Sequence, residues 1–214
     1  MKGYFKQLAF AFIGTIAFAC NQDDQSGASK TLQPRLPDSI TSQKAEPEPN
    51  MFASVDVSPM DMSYFPVDYP KLKMANIKVA PPVARVIYSR PQLARRPLFN
   101  GIIKYGEPWR LGANEASEIQ FYQPVRIQGK KINPGRYTIY GIPQPETWTI
   151  VLNSNVDTWG LKQDTTRDVA RFEIPVVTNG ASLEYFTMVF EKAENGANLV
   201  IAWADVVARL PLEF

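Results

Sequence analysis

No histidine occurs anywhere in this chain, and cysteine occurs once. The first absence removes the Ser-His-Asp triad, the Cys-His dyad and zinc sites built on imidazole. The second removes internal disulfides, so an exported domain has to rest on its hydrophobic core. An excess of either charge is lacking too: 23 Lys and Arg stand against 21 Asp and Glu, a net +2. That balance gives no electrostatic footprint for nucleic acid, which is not expected as a partner. Beyond one short N-terminal run there is no long apolar stretch that reads as a membrane-spanning helix. The side chains left for chemistry are carboxylates, Lys, Tyr, Ser and Thr, or an all-oxygen metal site. Carboxylate-pair glycoside hydrolysis is the main common reaction they permit.

The N-terminal run has the grammar of an export signal. Lys2 and Lys6 precede apolar residues 8–19, and Asn21-Gln22-Asp23-Asp24-Gln25 follows. A helix of about 12 residues, rising 1.5 Å each, is too short for a ~30 Å hydrocarbon core. A cleaved signal peptide over residues 1–19 is therefore expected. Ala17-Phe18-Ala19 satisfies the A-x-A cleavage pattern. With Cys20 the same string resembles a bacterial lipobox, in which the cysteine becomes the lipidated first residue. Lipidation of Cys20 is the expectation, with the membrane as partner through that anchor. Asn21, where Asp would signal inner-membrane retention, resembles lipoproteins sorted to the outer membrane. Asp23-Asp24 resembles a surface-export signal, so a periplasmic or surface-facing position stays open.

Residues 20–77 are expected to form a lipid-anchored, Pro-rich and largely disordered linker. Pro34, Pro37, Pro47 and Pro49 sit among Gln, Ser, Lys and acids, with too little apolar surface to offset ordering entropy. Within it, Met62, Tyr64, Phe65 and Tyr69 could pack, and the stretch 60–82 is expected to lie across the domain rather than form a long element. From residue 78 to 214 the pattern predicts an all-β, antiparallel, jelly-roll-like sandwich. Short alternating runs read as strands over 86–88, 102–105, 118–122, 125–127, 136–142, 148–152, 169–176, 183–191 and 199–203. Gln128-Gly129, Asn179-Gly180 and Asn195-Gly196 read as turns between them. Phe186, Met188 and Phe190 alternate with Leu183, Tyr185 and Val189, which predicts a central strand buried on both faces. Trp148 and Trp203 are expected in the core.

The richest loop is Tyr105-Gly106-Glu107-Pro108-Trp109-Arg110-Leu111-Gly112-Ala113-Asn114-Glu115-Ala116. Together with Tyr88-Ser89-Arg90-Pro91, Leu98-Phe99, Ile127-Gln128-Gly129-Lys130, Pro134-Gly135-Arg136-Tyr137, Trp148-Thr149-Ile150 and Trp159-Gly160, it resembles the DUF2911 family of uncharacterised bacterial exported proteins. The resemblance covers residues from about 84 to 205 and implies no activity. The family commonly has Gly-Arg before its Phe, where this chain has Ala94-Arg95-Arg96-Pro97, and Thr after the Asn-Glu-Ala string, where it has Ser117.

Arg90, Trp109, Arg110, Asn114 and Glu115 are the candidate ligand-binding residues. An indole face, two guanidinium forks, an amide and a carboxylate can stack a sugar ring or clamp a carboxylate. The same residues could instead fasten the loop: Glu115 on Arg110 or Arg90, Asn114 on backbone, Trp109 as a plug in the sandwich. No catalytic residue, cofactor or metal is assigned. Asp157, Asp164 and Asp168 read as solvated loop acids. The expected function is a non-enzymatic envelope module binding a glycan, peptide or protein. A carboxylate-dependent polysaccharide hydrolase using Glu115, or a purely structural envelope protein, is the alternative.

Overall fold

Every second residue of the alternating runs is apolar, and those residues form the interior. Trp148, Ile150 and Leu152 are fully buried, as are Leu199, Ile201 and Trp203. The computed structural model describes residues 54 and 56–214. The expected signal peptide, Cys20 and most of the expected linker lie outside the described residues. The strands are β1 (Met60–Phe65), β2 (Ala84–Ser89), β3 (Glu118–Phe121), β4 (Val125–Ile127), β5 (Lys130–Ile132), β6 (Gly135–Pro143), β7 (Thr147–Asn153), β8 (Asp168–Ala193) and β9 (Gly196–Glu213). One short helix, α1 (Tyr69–Ala75), lies between β1 and β2.

The fold is all-β and antiparallel. Nine strands run in the order β1-β2-β3-β6-β7-β8-β9-β4-β5, an open sheet with β1 and β5 at its edges. The long β8 belongs to two layers. Its first part pairs with β7, from Asn153↔Asp168 to Thr147↔Pro175. The rest pairs with β9, from Val176↔Ala208 to Ala193↔Gly196. Folding back brings the far part of β8 against the β1–β2 side. There the Phe190 N–H donates to Ser63 Oγ at 3.2 Å, and Arg90 Nε donates to the Phe186 carbonyl at 3.2 Å. Tyr88 meets Phe186 edge-on with ring centroids 5.6 Å apart. One hydrophobic cluster fills the space between the layers.

The Gln128-Gly129 turn behaves as expected: both residues have positive φ, 48° and 76°, between Ile127 and Lys130, which pair. Such a two-residue turn matches the twist of the strands it joins. The β8–β9 hairpin closes at Ala193↔Gly196, as the Asn195-Gly196 pair implied.

Four expectations are corrected. The domain does not begin at residue 78: β1 pairs with β2 along its whole length, from Met60↔Ser89 to Phe65↔Ala84. Pro59 and Pro66 flank that strand rather than interrupt it, so prolines that suggest a linker here mark strand ends. Asn179-Gly180 does not reverse the chain. The β8–β9 register shifts between Thr178 and Leu183, so the pair falls at a bulge within a continuing strand. Residues 102–105 are not a strand. The Ile102 and Ile103 N–H groups both donate to the Leu98 carbonyl in a tight turn, at 3.1 and 3.0 Å. Finally, β8 buries Phe186, Met188 and Phe190 on one face only, while Tyr185 and Val189 on the other are exposed.

Candidate functional site

The Trp109 loop alternates in and out like a strand. Trp109 exchanges backbone hydrogen bonds with Gly141, at 2.7 and 2.8 Å, which fixes its direction against β6. Its indole points into the core, stacked on Trp203 (5.6 Å) and edge-on to Trp148 (5.9 Å) and Phe186 (4.8 Å). Nε1–H donates to the Gly112 carbonyl at 3.3 Å. Leu111 is fully buried, and Ser117 Oγ donates to its carbonyl at 2.6 Å. Arg110, between the two inward residues, faces out.

Arg110 meets a second loop. Its guanidinium carbon lies 5.8 Å from the centre of the Trp159 ring, and Nη1 donates to the Trp159 carbonyl at 3.1 Å. Partial burial lowers the Arg110 pKa from its ordinary value, and the charge of Glu115 opposes this. Trp159 remains 53% exposed, so stacking on arginine orients the indole without covering it. Gly160 is required beside it. With φ at +75° and a Cβ position only 2.7 Å from Ala116 Cβ, it lets the Trp159 loop press against the Glu115 loop.

Trp159, Glu115, Glu118, Arg136 and Asp157, with Met60 and Ile87 at the base, line an open cleft of about 420 Å³. Arg136 on β6 holds two acids. It bonds Glu118 through Nε (3.1 Å) and Nη2 (2.8 Å), and Nη2 reaches Asp157 Oδ1 at 2.6 Å. Those hydrogen bonds, the Asp157 one first, raise the Arg136 pKa further. The Asp157 N–H also donates to Glu118 Oε1 at 3.2 Å. Glu115 is exposed, and it forms no ion pair among the described residues.

The loop carrying Trp159 is anchored from below. Asn153 Nδ2 donates to the Asp164 carbonyl and to Asp168 Oδ1, both at 2.8 Å. The Tyr140 hydroxyl donates to Asp168 at 2.9 Å, and Arg171 Nη2 bonds the same carboxylate at 2.6 Å. Asp164 caps a single 3-10 turn, accepting from the Thr166 N–H and hydroxyl, which lowers its pKa. The loop acids are thus fasteners rather than merely solvated. Among the described residues no group of three or more acidic or cysteine side chains converges to hold a metal.

The family model described as "Protein of unknown function (DUF2911)" matches residues 71–212. This chain belongs to the DUF2911 family. The matched span takes in β2 through nearly all of β9 and starts within α1, upstream of the boundary read from the prolines. No curated protein and no solved structure matches the chain.

Within this DUF2911 domain the sequence candidates divide. Trp109 is core. Arg90 lies apart from the cleft, bonded to Asp61 (3.2 Å), the Phe186 carbonyl and Thr187 Oγ1 (3.4 Å), with Tyr185 5.9 Å away. Asn114 donates to Asp56 Oδ2 at 2.5 Å, tying the loop to the incoming chain rather than to backbone. Neither Arg110 nor Arg90 forms a salt bridge with Glu115. Of the five, Glu115 lines the cleft with Trp159, Arg136, Glu118 and Asp157, and Arg110 meets it only through Trp159. A tryptophan set among Asp, Thr and Gly, outside any alternating run, was the available signal for Trp159.

Proposed function

We propose that this domain is a non-catalytic binding module of the cell envelope, and that the Trp159 cleft takes a glycan. The observation that carries the reading is the half-open Trp159 indole, fixed by Arg110 and flanked by carboxylates and a guanidinium. A sugar offers an apolar C–H face to an aromatic ring and hydroxyls to polar groups around it. Glu115 can accept a hydroxyl proton, and Arg136 Nη1, which takes no part in the bonds to Glu118 and Asp157, can donate to a sugar oxygen. The hydrolase alternative has less support. Glu115, Glu118 and Asp157 line the same cleft, but the last two are both held by Arg136. Retaining and inverting chemistry each need a second working carboxylate.

Screening the purified domain against envelope polysaccharide fragments, by glycan array and calorimetry, tests this reading. Trp159→Ala should weaken binding by about fivefold or more, since aromatic stacking contributes ~1 kcal/mol. Its melting temperature should stay close to the parent's. Unchanged affinity in that variant rejects the cleft as the site.

The envelope address is part of the same proposal and rests on Cys20 following Ala17-Phe18-Ala19. Metabolic labelling with a fatty-acid analogue is expected to mark the parent chain and to leave Cys20→Ser unlabelled. Equal label in both rules out this anchor. Among the described residues no helix is long and apolar enough to cross a membrane.

A further inference from the structure

Between Phe65 and Val83 the chain leaves the sheet and returns to the same point. The Val83 N–H donates to the Phe65 carbonyl at 2.8 Å, closing the base of the excursion. Its centre is α1, seven residues with none buried. A helix that short, with no packed face, is marginal in water. Met74 is 87% exposed and Ile77 81%, while Val67 and Leu72 are exposed beside them. Positive charge predominates around these side chains, with Asp68 the one acid on the excursion. Lys71, Lys73 and Lys78 lie on the excursion, and no acid occurs between Asp68 and Glu107. Lys73 Nζ donates to the Ile77 carbonyl at 2.7 Å, which secures the end of the helix.

Beneath the excursion is an open groove of about 660 Å³, lined by Phe65, Pro66, Val67, Pro70, Lys71 and Lys192, with Asp68 as its acid. Phe214, itself exposed, packs on Phe65 with centroids 5.0 Å apart. Exposed apolar tips, a mostly apolar groove and a rim of lysines make one continuous feature.

We propose that the excursion docks on an anionic lipid surface, Met74 and Ile77 entering the headgroup layer while Lys71, Lys78 and Lys192 meet lipid phosphates. Each basic residue near such a surface is attracted to it, and lysine stems can lie along apolar surface with the ammonium at the phosphates. The chain that leads back to Cys20 joins β1 at its Met60 end, and the roughly 40 residues between them are long enough for either end of the strand to reach a membrane, so this step rests on the proposed lipid anchor while the lysines and the exposed Met74 and Ile77 select the face. Docking here also positions the cleft. Met60 at one end of β1 lines the cleft and Phe65 at the other lines the groove. Extended backbone at ~3.3 Å per residue separates the two by about 17 Å. A seated domain therefore holds its binding cleft off the bilayer.

The test uses the lipid-free Cys20→Ser chain, so neither the acyl anchor nor the glycan reading enters it. Sedimentation with vesicles of phosphatidylcholine and phosphatidylglycerol should show binding that is lost in pure phosphatidylcholine and weakened by high salt. Lys71→Glu/Lys78→Glu/Lys192→Glu should partition at least tenfold more weakly, and Met74→Ser/Ile77→Ser at least about threefold. All five positions carry exposed side chains, and circular dichroism checks that the variants fold. Met74→Cys in the same background supplies the sole thiol for an environment-sensitive dye, whose emission should shift to the blue on anionic vesicles. Parent-like partition of either variant, no preference for anionic lipid, or an unshifted dye overturns the proposal. Trp159→Ala should bind vesicles as the parent does.

Discussion

Replacing Trp109 by alanine is expected to destabilise the domain by about 4 kcal/mol, the range for deleting a large buried aromatic. The indole is 9% exposed and touches three other rings, stacked on Trp203 and edge-on to Trp148 and Phe186. Those rings come from β7, β8 and β9, so the cavity would open where both layers meet the loop. The hydrogen bond from Nε1 to the Gly112 carbonyl is lost as well. For a protein of this size each kcal/mol moves the melting temperature by ~2–4 °C, so a fall of roughly 10 °C is expected. Trp109→Phe keeps an aromatic face and should recover part of that loss. Urea titration measures both, and a parent-like midpoint for Trp109→Ala would remove Trp109 from the core. Trp159→Ala is the contrast, a tryptophan whose loss should be felt in binding rather than in folding.

Asp168→Ala is expected to cost about 3 kcal/mol, because a buried hydroxyl and an amide lose their charged acceptor together. Tyr140 is 1% exposed and donates to Asp168, as does Asn153 Nδ2. The alkaline limb gives an independent readout. Burial, and then the hydrogen bond to Asp168 and its charge, push the Tyr140 hydroxyl up to about 12. A folded-state pKa raised above the unfolded value means stability that is intact below pH ~10 and lost as pH climbs through about 12. Without the carboxylate, Tyr140 should ionise at lower pH, visible in tyrosinate absorbance. Tyr88, raised to about 12 chiefly by burial, should hold its position in the same titration. An unshifted alkaline curve would show that Asp168 does not govern Tyr140. Because the network anchors the Trp159 loop, the glycan binding proposed for the cleft should weaken alongside stability.

How far the sequence discloses this molecule depends on the range of the physics involved. Strands β2, β7 and the first half of β9 are legible because alternation is local and one face is buried. Strand β1 is hidden because Met60, Asp61, Met62 and Ser63 are weak strand formers and prolines stand at both ends. Its pairing with β2 settles what its composition does not. The run from Asp168 to Ala193 reads as two strands because Asn179-Gly180 has turn chemistry, and only the pairing with β9 shows that one strand continues through a bulge. The candidate site divides for a similar reason. Trp109, Arg110 and Leu111 are neighbours in sequence, but the chain turns at Leu111, where φ is +52°, and Trp109 and Leu111 are buried while Arg110 is left at the surface. The cleft draws Glu115 from one loop, Asp157 and Trp159 from another, and Glu118 and Arg136 from paired strands. No spacing rule connects those positions.

The strand order also governs when the molecule can form at all. β4, near the middle of the chain, pairs with the very end of β9 at Arg126↔Glu213, and β8 must be complete before its two layers can close. Contacts at such separation reward the chain only after long loops have been closed, which makes folding slow. A chain without the end of β9 therefore lacks the strand that completes its core, and it stays open until that strand is there to pair.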